Sequence, residues 1–227
     1  MAYILCLETA TTNCSVALAK DKECVALREF DSPKYSHAEQ LHAFIKEVLE
    51  EAKITFKELE AVAISKGPGS YTGLRIGVSA AKGICFAMDI PLISIPTLYS
   101  LAKQVTVAPN DLIISMLDAR RMEVYTQTFD ATHQAVSETE ALVLDETSFK
   151  NLTKENQVHL IGNGVAKFQE IAVNENFHFY PDAVVSAKDM IELSYNKFQQ
   201  KNFEDVAYFE PFYLKDFVAG KPKPRGW

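Results

Sequence analysis

Two polar turns and a glycine-rich segment hold the residue types that could do chemistry in this 227-residue chain. Glu8-Thr9-Ala10-Thr11-Thr12-Asn13-Cys14-Ser15 puts a carboxylate and the hydroxyls of Thr9, Thr11, Thr12 and Ser15 between two apolar runs. Such a turn could surround magnesium and phosphate oxygens, or its hydroxyls could satisfy the turn's own backbone. Lys66-Gly67-Pro68-Gly69-Ser70-Tyr71-Thr72-Gly73-Leu74-Arg75-Ile76-Gly77 lies between an apolar run and a helical pattern. Glycine is costly in regular structure and is kept where the backbone takes positive φ or meets something closely. The amides from Gly69 to Thr72, opening a helix, could hold an anion. The segment could equally be a tight strand-to-helix turn. It is not a Walker loop, because Lys66 precedes the glycines and no Gly-Lys-Ser/Thr follows. In Asp118-Ala119-Arg120-Arg121 the arginines could meet phosphate or a partner's carboxylate, or help the aspartate brace a hairpin.

Other chemistries find no support. His37 and His42 are five apart, and two ligands on one helix face want three or four. His133, His159 and His178 are scattered, without a carboxylate at motif spacing. No metal ligand set and no catalytic residue is assigned, and a serine nucleophile elbow is absent. Cys6, Cys14, Cys24 and Cys85 lack redox or metal spacing and are expected to be buried free thiols in a reducing compartment. A net charge of −7 speaks against the chain reading nucleic acid by itself. One basic cluster, Lys215, Lys221, Lys223 and Arg225, reads as a solvated tail or a docking peptide. There is neither an apolar run of membrane-spanning length nor a basic secretory n-region, so a cytoplasmic protein with no membrane partner is expected.

The elements that must position these residues follow from periodicity. Tyr3 to Thr9, Cys14 to Lys20 and Glu23 to Phe30 read as three strands joined by polar turns. Ser36 and Glu39 form a capping-box pattern before a helix with Leu41, Phe44, Ile45, Val48, Leu49 and Ala52 at helical spacing. A strand at Ala61 to Ser65, a helix from Thr72 to Ala87, a strand at Leu92 to Ile95 and a helix from Thr97 complete an order βββαβαβα. That order predicts an α/β fold that opens with a ribonuclease H-like lobe, the building block of the actin-like ATPase (ASKHA) architecture of two such lobes. A second, degenerate lobe is expected to restart with strands at Leu112 to Leu117 and Met122 to Phe129. Further strands at Glu140 to Leu144 and Val158 to Ile161 and helices at Val165 to Ile171 and Ala187 to Phe198 follow. The expected organisation is an N-terminal lobe over residues 1–108, a C-terminal lobe over 109–214 and a tail over 215–227.

From Leu74 to Ala87 the only polar side chains are Arg75, Ser79 and Lys82, so nearly every face of that helix calls for cover. Gly73, Gly77, Ala80 and Ala81 would admit another helix closely. The cover is either the preceding helix of the same lobe or a helix of a partner.

Ile4-Leu5-Cys6-Leu7-Glu8-Thr9-Ala10-Thr11, Ser36-His37-Ala38-Glu39, the glycine segment with Ala81-Lys82-Gly83, Asp118 to Arg121 and Gly162-Asn163-Gly164 together resemble the TsaB (YeaZ) family. The resemblance spans the chain. It implies a role in making threonylcarbamoyladenosine beside the anticodon of tRNAs that read codons beginning with adenine. It also implies a non-catalytic subunit that forms a heterodimer with the transferase TsaD and stabilises it, or a homodimer when alone. TsaE, an ATPase, is expected to join, TsaC or its relative to supply the adenylate, and tRNA to be met only through the complex. The implied partner contacts are His42, Ile45, Leu49, Arg75, Ile76, Ser79, Ala80, Gly83 and Ile84. TsaD holds its metal with a histidine pair after its glycine segment, whereas Ile84 to Leu101 contains no histidine here. A candidate vestigial nucleotide site comprises Thr9, Thr11, Thr12, Arg120, Arg121, Gly162 and Gly164, with no cofactor required and ATP or ADP bound weakly or only at the complex interface. The rival reading is an ATP-binding enzyme of the same fold.

Overall fold

The computed structural model describes residues 1–32 and 36–215. Its first lobe opens with β1 (Tyr3–Glu8), β2 (Asn13–Lys20) and β3 (Glu23–Asp31), paired as an antiparallel meander. Helix α1 (His37–Ala52) follows, then β4 (Ala61–Gly67), α2 (Tyr71–Met88), β5 (Leu92–Pro96) and α3 (Thr97–Ala102). β4 pairs parallel to β1 and β5 parallel to β4, giving a five-stranded sheet in the order β3-β2-β1-β4-β5. The central strands are apolar on both sides, as strands covered on both faces must be. Leu5, Leu7, Val16, Leu18, Val62 and Ile64 pack beneath α1 and α2. Ile4, Cys6, Ala17, Ala61, Ala63, Ile93 and Ile95 point to the opposite side.

The second lobe contains β6 (Leu112–Asp118), β7 (Glu123–Phe129), β8 (Glu140–Val143), β9 (Val158–Ile161), α4 (Val165–Gln169) and β10 (Phe177–Tyr180), followed by α5 (Ile191–Gln199). Its sheet runs β10-β9-β6-β7-β8. With β6 in the role of β1 this is the first sheet's order repeated, including an edge strand, β10, that the sequence reading left out. α3 packs on β6 and also touches β4 and β5, so it is the layer shared by the lobes.

Three expectations need correction. The capping box at Ser36 does not form: its backbone, at φ −108° and ψ 14°, is not extended, and the side chain makes no cap bond. The Ser36 carbonyl instead accepts from the amides of Glu39 and Gln40, each at 3.0 Å. Cys24, expected to be buried, is exposed near the start of β3, while Cys6, Cys14 and Cys85 are buried free thiols. Residues 109–214 also do not make one lobe. Ala187, Met190, Ile191 and Leu193 cover the far face of the first sheet. Beyond α5 the chain runs along the first lobe: Glu204 N donates to Leu92 O at 2.9 Å and Phe212 N to Lys66 O at 2.7 Å. Of the expected tail only Lys215, which pairs with Glu123, is among the described residues; Lys221, Lys223 and Arg225 lie outside them.

Candidate functional site: a helix groove and a committed cleft

α1 and α2 lie side by side on one face of the first sheet. α2 starts where Ser70, in extended conformation, accepts the Gly73 amide at 3.3 Å. It ends at Asp89, whose φ of 54° is left-handed. An open groove of about 730 Å³ runs between the helices, lined by Ala38, His42, Phe56, Arg75, Ile76, Ser79, Ala80, Gly83, Ile84, Ala87 and Met88. Seven of the nine expected contact residues are in that lining. Ile45 and Leu49 are the exceptions: they are 2% and 3% exposed and belong to the core beneath, because they share the stripe of Leu41 and Val48 that faces the sheet.

The glycines of α2 divide into two classes. A Cβ at Gly73 would lie 2.1 Å from the Thr9 carbonyl oxygen, and one at Gly77 would lie 2.2 Å from Thr9 Oγ1 and 2.9 Å from Ile64 Cδ1. These two admit the β1–β2 turn of the same lobe, so the expectation that they admit another helix, whether of this lobe or of a partner, is corrected. At Gly83 a Cβ would meet nothing within 4 Å. Gly83 also borders a second hollow of about 570 Å³, shared with Lys82, Phe86, Asp205, Val206 and Ala207. Phe86 is 85% exposed there, and Tyr208, next in sequence to Ala207, is 84% exposed. Lys82 Nζ holds the segment beyond α5, a strap over residues 203–215, by donating to the carbonyls of Ala207 and Phe209, both at 3.0 Å. Arg75 lies with its guanidinium 4.4 Å from the Tyr71 ring centroid and donates to Tyr213 Oη at 3.3 Å.

The candidate nucleotide residues are drawn into the fold's own bonding. Glu8 is fully buried, and Oε1 accepts from Ala10 N at 2.6 Å and Ser65 Oγ at 2.8 Å. Burial pushes its carboxyl up to about 7, against the opposing pull of those donors. Thr9 is fully buried and Thr11 nearly so, while Thr12 is half-buried. Asp118 Oδ1 accepts from Arg120 N at 2.7 Å and from Lys167 Nζ at 2.5 Å. Lys167 also donates to the carbonyls of Arg121 and Glu123. Arg120 and Arg121, at φ 71° and 50°, form the hairpin tip with exposed side chains. Among the described residues no hydrogen bond or ion pair joins them to Thr9, Thr11 or Thr12. Gly162 has φ +116°, and its Cβ would lie 2.4 Å from Met116 O; one at Gly164 would meet Val124 and the backbone of Met116 and Leu117. Both glycines let the start of α4 approach β6 and β7.

Three site residues escaped the sequence reading. His37 was weighed only as a metal ligand, yet it is 1% exposed with Nε2 2.8 Å from Thr11 O. Burial holds its imidazole below the usual histidine range. Its place in Ser36-His37-Ala38-Glu39, directly before the groove-lining Ala38, was the available signal. Lys167 and the strap around Tyr213 gave none, since their partners are far away in sequence. Among the described residues no cluster of three or more histidine, cysteine, aspartate or glutamate side chains could hold a metal ion.

Two five-stranded sheets of identical order, joined through α3 and crossed back by α5, define an actin-like ATPase architecture of two ribonuclease H-like lobes. The family model described as TsaD, tRNA N6-adenosine threonylcarbamoyltransferase, matches residues 33–223. The tRNA threonylcarbamoyladenosine biosynthesis protein TsaB of Buchnera aphidicola subsp. Acyrthosiphon pisum (strain APS) is 31% identical, over 88% of this chain and 91% of its own length. TsaB of Escherichia coli (strain K12) is 26% identical, over 97% of this chain and 98% of its own. The solved structure of YeaZ from Pseudomonas aeruginosa shares the fold with a TM-score of 0.82 at 22% identity, covering 94% of this chain and all of that one. The chain belongs to this family, in its TsaB (YeaZ) branch.

Proposed function

We propose that this chain serves threonylcarbamoyladenosine synthesis as a non-catalytic subunit, docking the TsaD transferase through the α1–α2 groove and stabilising it. The observation that carries the proposal is Gly83. A glycine inside a helix costs about 0.8 to 1.0 kcal/mol relative to alanine. Gly73 and Gly77 are needed by the chain's own backbone, but Gly83 opens onto space beside an apolar groove and an exposed Phe86. A contact made outside the chain explains why a side chain is avoided there. A second support is that Glu8 and Asp118, the carboxylates available for chemistry, are engaged internally.

On this reading the transferase supplies the catalytic centre, TsaE joins the pair as an ATPase, and TsaC or its relative supplies the threonylcarbamoyl-adenylate. The tRNAs are those decoding codons that begin with adenine, and they are reached through the complex. Alone, the chain pairs with a second copy through the same groove, and ATP or ADP binds weakly or only at the complex interface.

Gly83→Glu places a carboxylate in the groove without touching the core. The variant is expected to fold, to elute apart from TsaD in size-exclusion chromatography, and to leave TsaD with TsaE inactive in a reconstitution from threonylcarbamoyl-adenylate and tRNA. Co-elution at native affinity would overturn the docking site. Product formed by this chain alone would overturn the non-catalytic assignment.

A further inference from the structure

Both helices that wall the groove are fastened to one turn. α2 sits on it through glycine, with the Gly73 and Gly77 positions closed by Thr9 O and Thr9 Oγ1. Ser70 N donates to Ala10 O at 2.7 Å, at the start of the same helix. α1 reaches the turn through His37, whose Nε2 lies 2.8 Å from Thr11 O. A carbonyl oxygen only accepts, so Nε2 must carry the proton in this contact. The imidazole also bears on α2, since a Cβ at Gly73 would come 3.3 Å from His37 Cδ2. Ser36 provides no side-chain cap, and the His37 bond ties the first turn of α1 to the β1–β2 turn. His37, Thr9, Thr11 and Gly73 are all outside the groove lining.

We infer that His37 is a positioning residue for docking: by tying α1 to the turn that seats α2, it sets the separation of the groove walls without touching the partner. The inference rests on the docking proposal above and adds the residue that tunes it. A buried imidazole is a costly way to fill space that leucine could fill, unless its hydrogen bond is used. The bond ends on Thr11, in the turn that joins β1 to β2. The spacing of an outer docking face is thereby referred to that turn.

The test measures the dissociation constant for purified TsaD by calorimetry, at a temperature well below the melting point of every variant. Gly83→Glu is expected to abolish binding. His37→Leu is expected to fold and to weaken binding on the order of tenfold, the scale of one buried hydrogen bond. His37→Gln, which keeps an N–H for Thr11, should recover most of the affinity and slow amide exchange in the first turn of α1 again. Wild-type affinity in folded His37→Leu, with Gly83→Glu still unable to bind, would overturn the inference and leave the docking site standing. Normal binding by Gly83→Glu would remove both. Equal losses in the Leu and Gln variants that follow their melting points would reduce His37 to a stabiliser and overturn the positioning role. If His37→Leu does not fold, Gly73→Ala, which pushes α2 off Thr9, takes its place, with weakening expected and unchanged affinity overturning the idea.

Discussion

Glu8 carries its carboxyl group where no water reaches, and that has a measurable consequence. Its folded-state value of about 7 stands above the 4.5 of an unperturbed glutamate, with burial as the leading cause and the nearby carboxylate of Asp189 adding to it. Between those two values the folded chain holds a proton that the unfolded chain has released, so stability falls as pH rises through the window. Asp189, pushed up to about 6 mainly by burial, acts with the same sign from 3.8 upward. From pH about 5.5 to about 8.5 the Glu8 contribution falls by about 2 kcal/mol. Urea denaturation of the wild type and of Glu8→Gln across that range should show the extra slope only in the wild type, and subtracting the two removes the part due to Asp189. Parallel curves would mean that Glu8 is ionised in the fold, its Oε2 having found a donor. The sequence placed Glu8 at the right turn. Its burial was not legible there, because the cover comes from Ser65 and residues near 187, distant in the chain.

At the scale of elements, α2 shows how one composition serves two ends. Its lack of polar residues and its glycines were plain in the sequence, and both intramolecular and intermolecular cover were compatible with them. Close approach within a lobe and close approach between molecules demand the same small residues, so only the neighbours decide. They separate Gly77, closed by Thr9 and Ile64, from Gly83, which has nothing near it. Gly77→Ala should therefore cost roughly 1 to 3 kcal/mol through overpacking, while Gly83→Ala should stabilise the isolated chain by roughly 0.8 to 1.0 kcal/mol through helix propensity. Chemical denaturation of the two variants gives shifts of opposite sign, and a shared sign would show that α2 is packed otherwise. Helical spacing in α1 was equally legible, but it marks a face and not what covers that face. Ile45 and Leu49 lie on the stripe with Leu41 and Val48, which already has the sheet as its partner.

Across the whole molecule, strand order was legible as far as hydrophobic runs were long. The first sheet emerged entire; the second lost β10, whose four residues, Phe177 to Tyr180, follow a polar loop and resemble many short aromatic runs. What sequence periodicity could not show is the destination of the last third of the second lobe, since an amphipathic helix such as α5 does not declare which sheet it covers. It covers the first. Ile4, Cys6, Ala61, Ala63, Ile93 and Ile95 form one face of that sheet, and Ala187, Met190, Ile191 and Leu193 close it. On the same side of the lobe joint, Asn13 Nδ2 donates to Val185 O at 3.0 Å and Ala187 N to Ser15 Oγ at 3.0 Å. The apparent boundary near residue 108 is thus a boundary of sheets and not of folding units, because the first sheet leaves a bare apolar face when the chain is cut there. Residues 1–108 expressed alone are expected to lack a cooperative thermal transition and to bind an apolar dye strongly, and joining residues 183–215 to them through a flexible linker should restore the transition. A cooperative melt of the 1–108 fragment at the temperature of the full chain would show that α1 and α2 alone suffice to hold the sheet, and that α5 closes a lobe already folded without it.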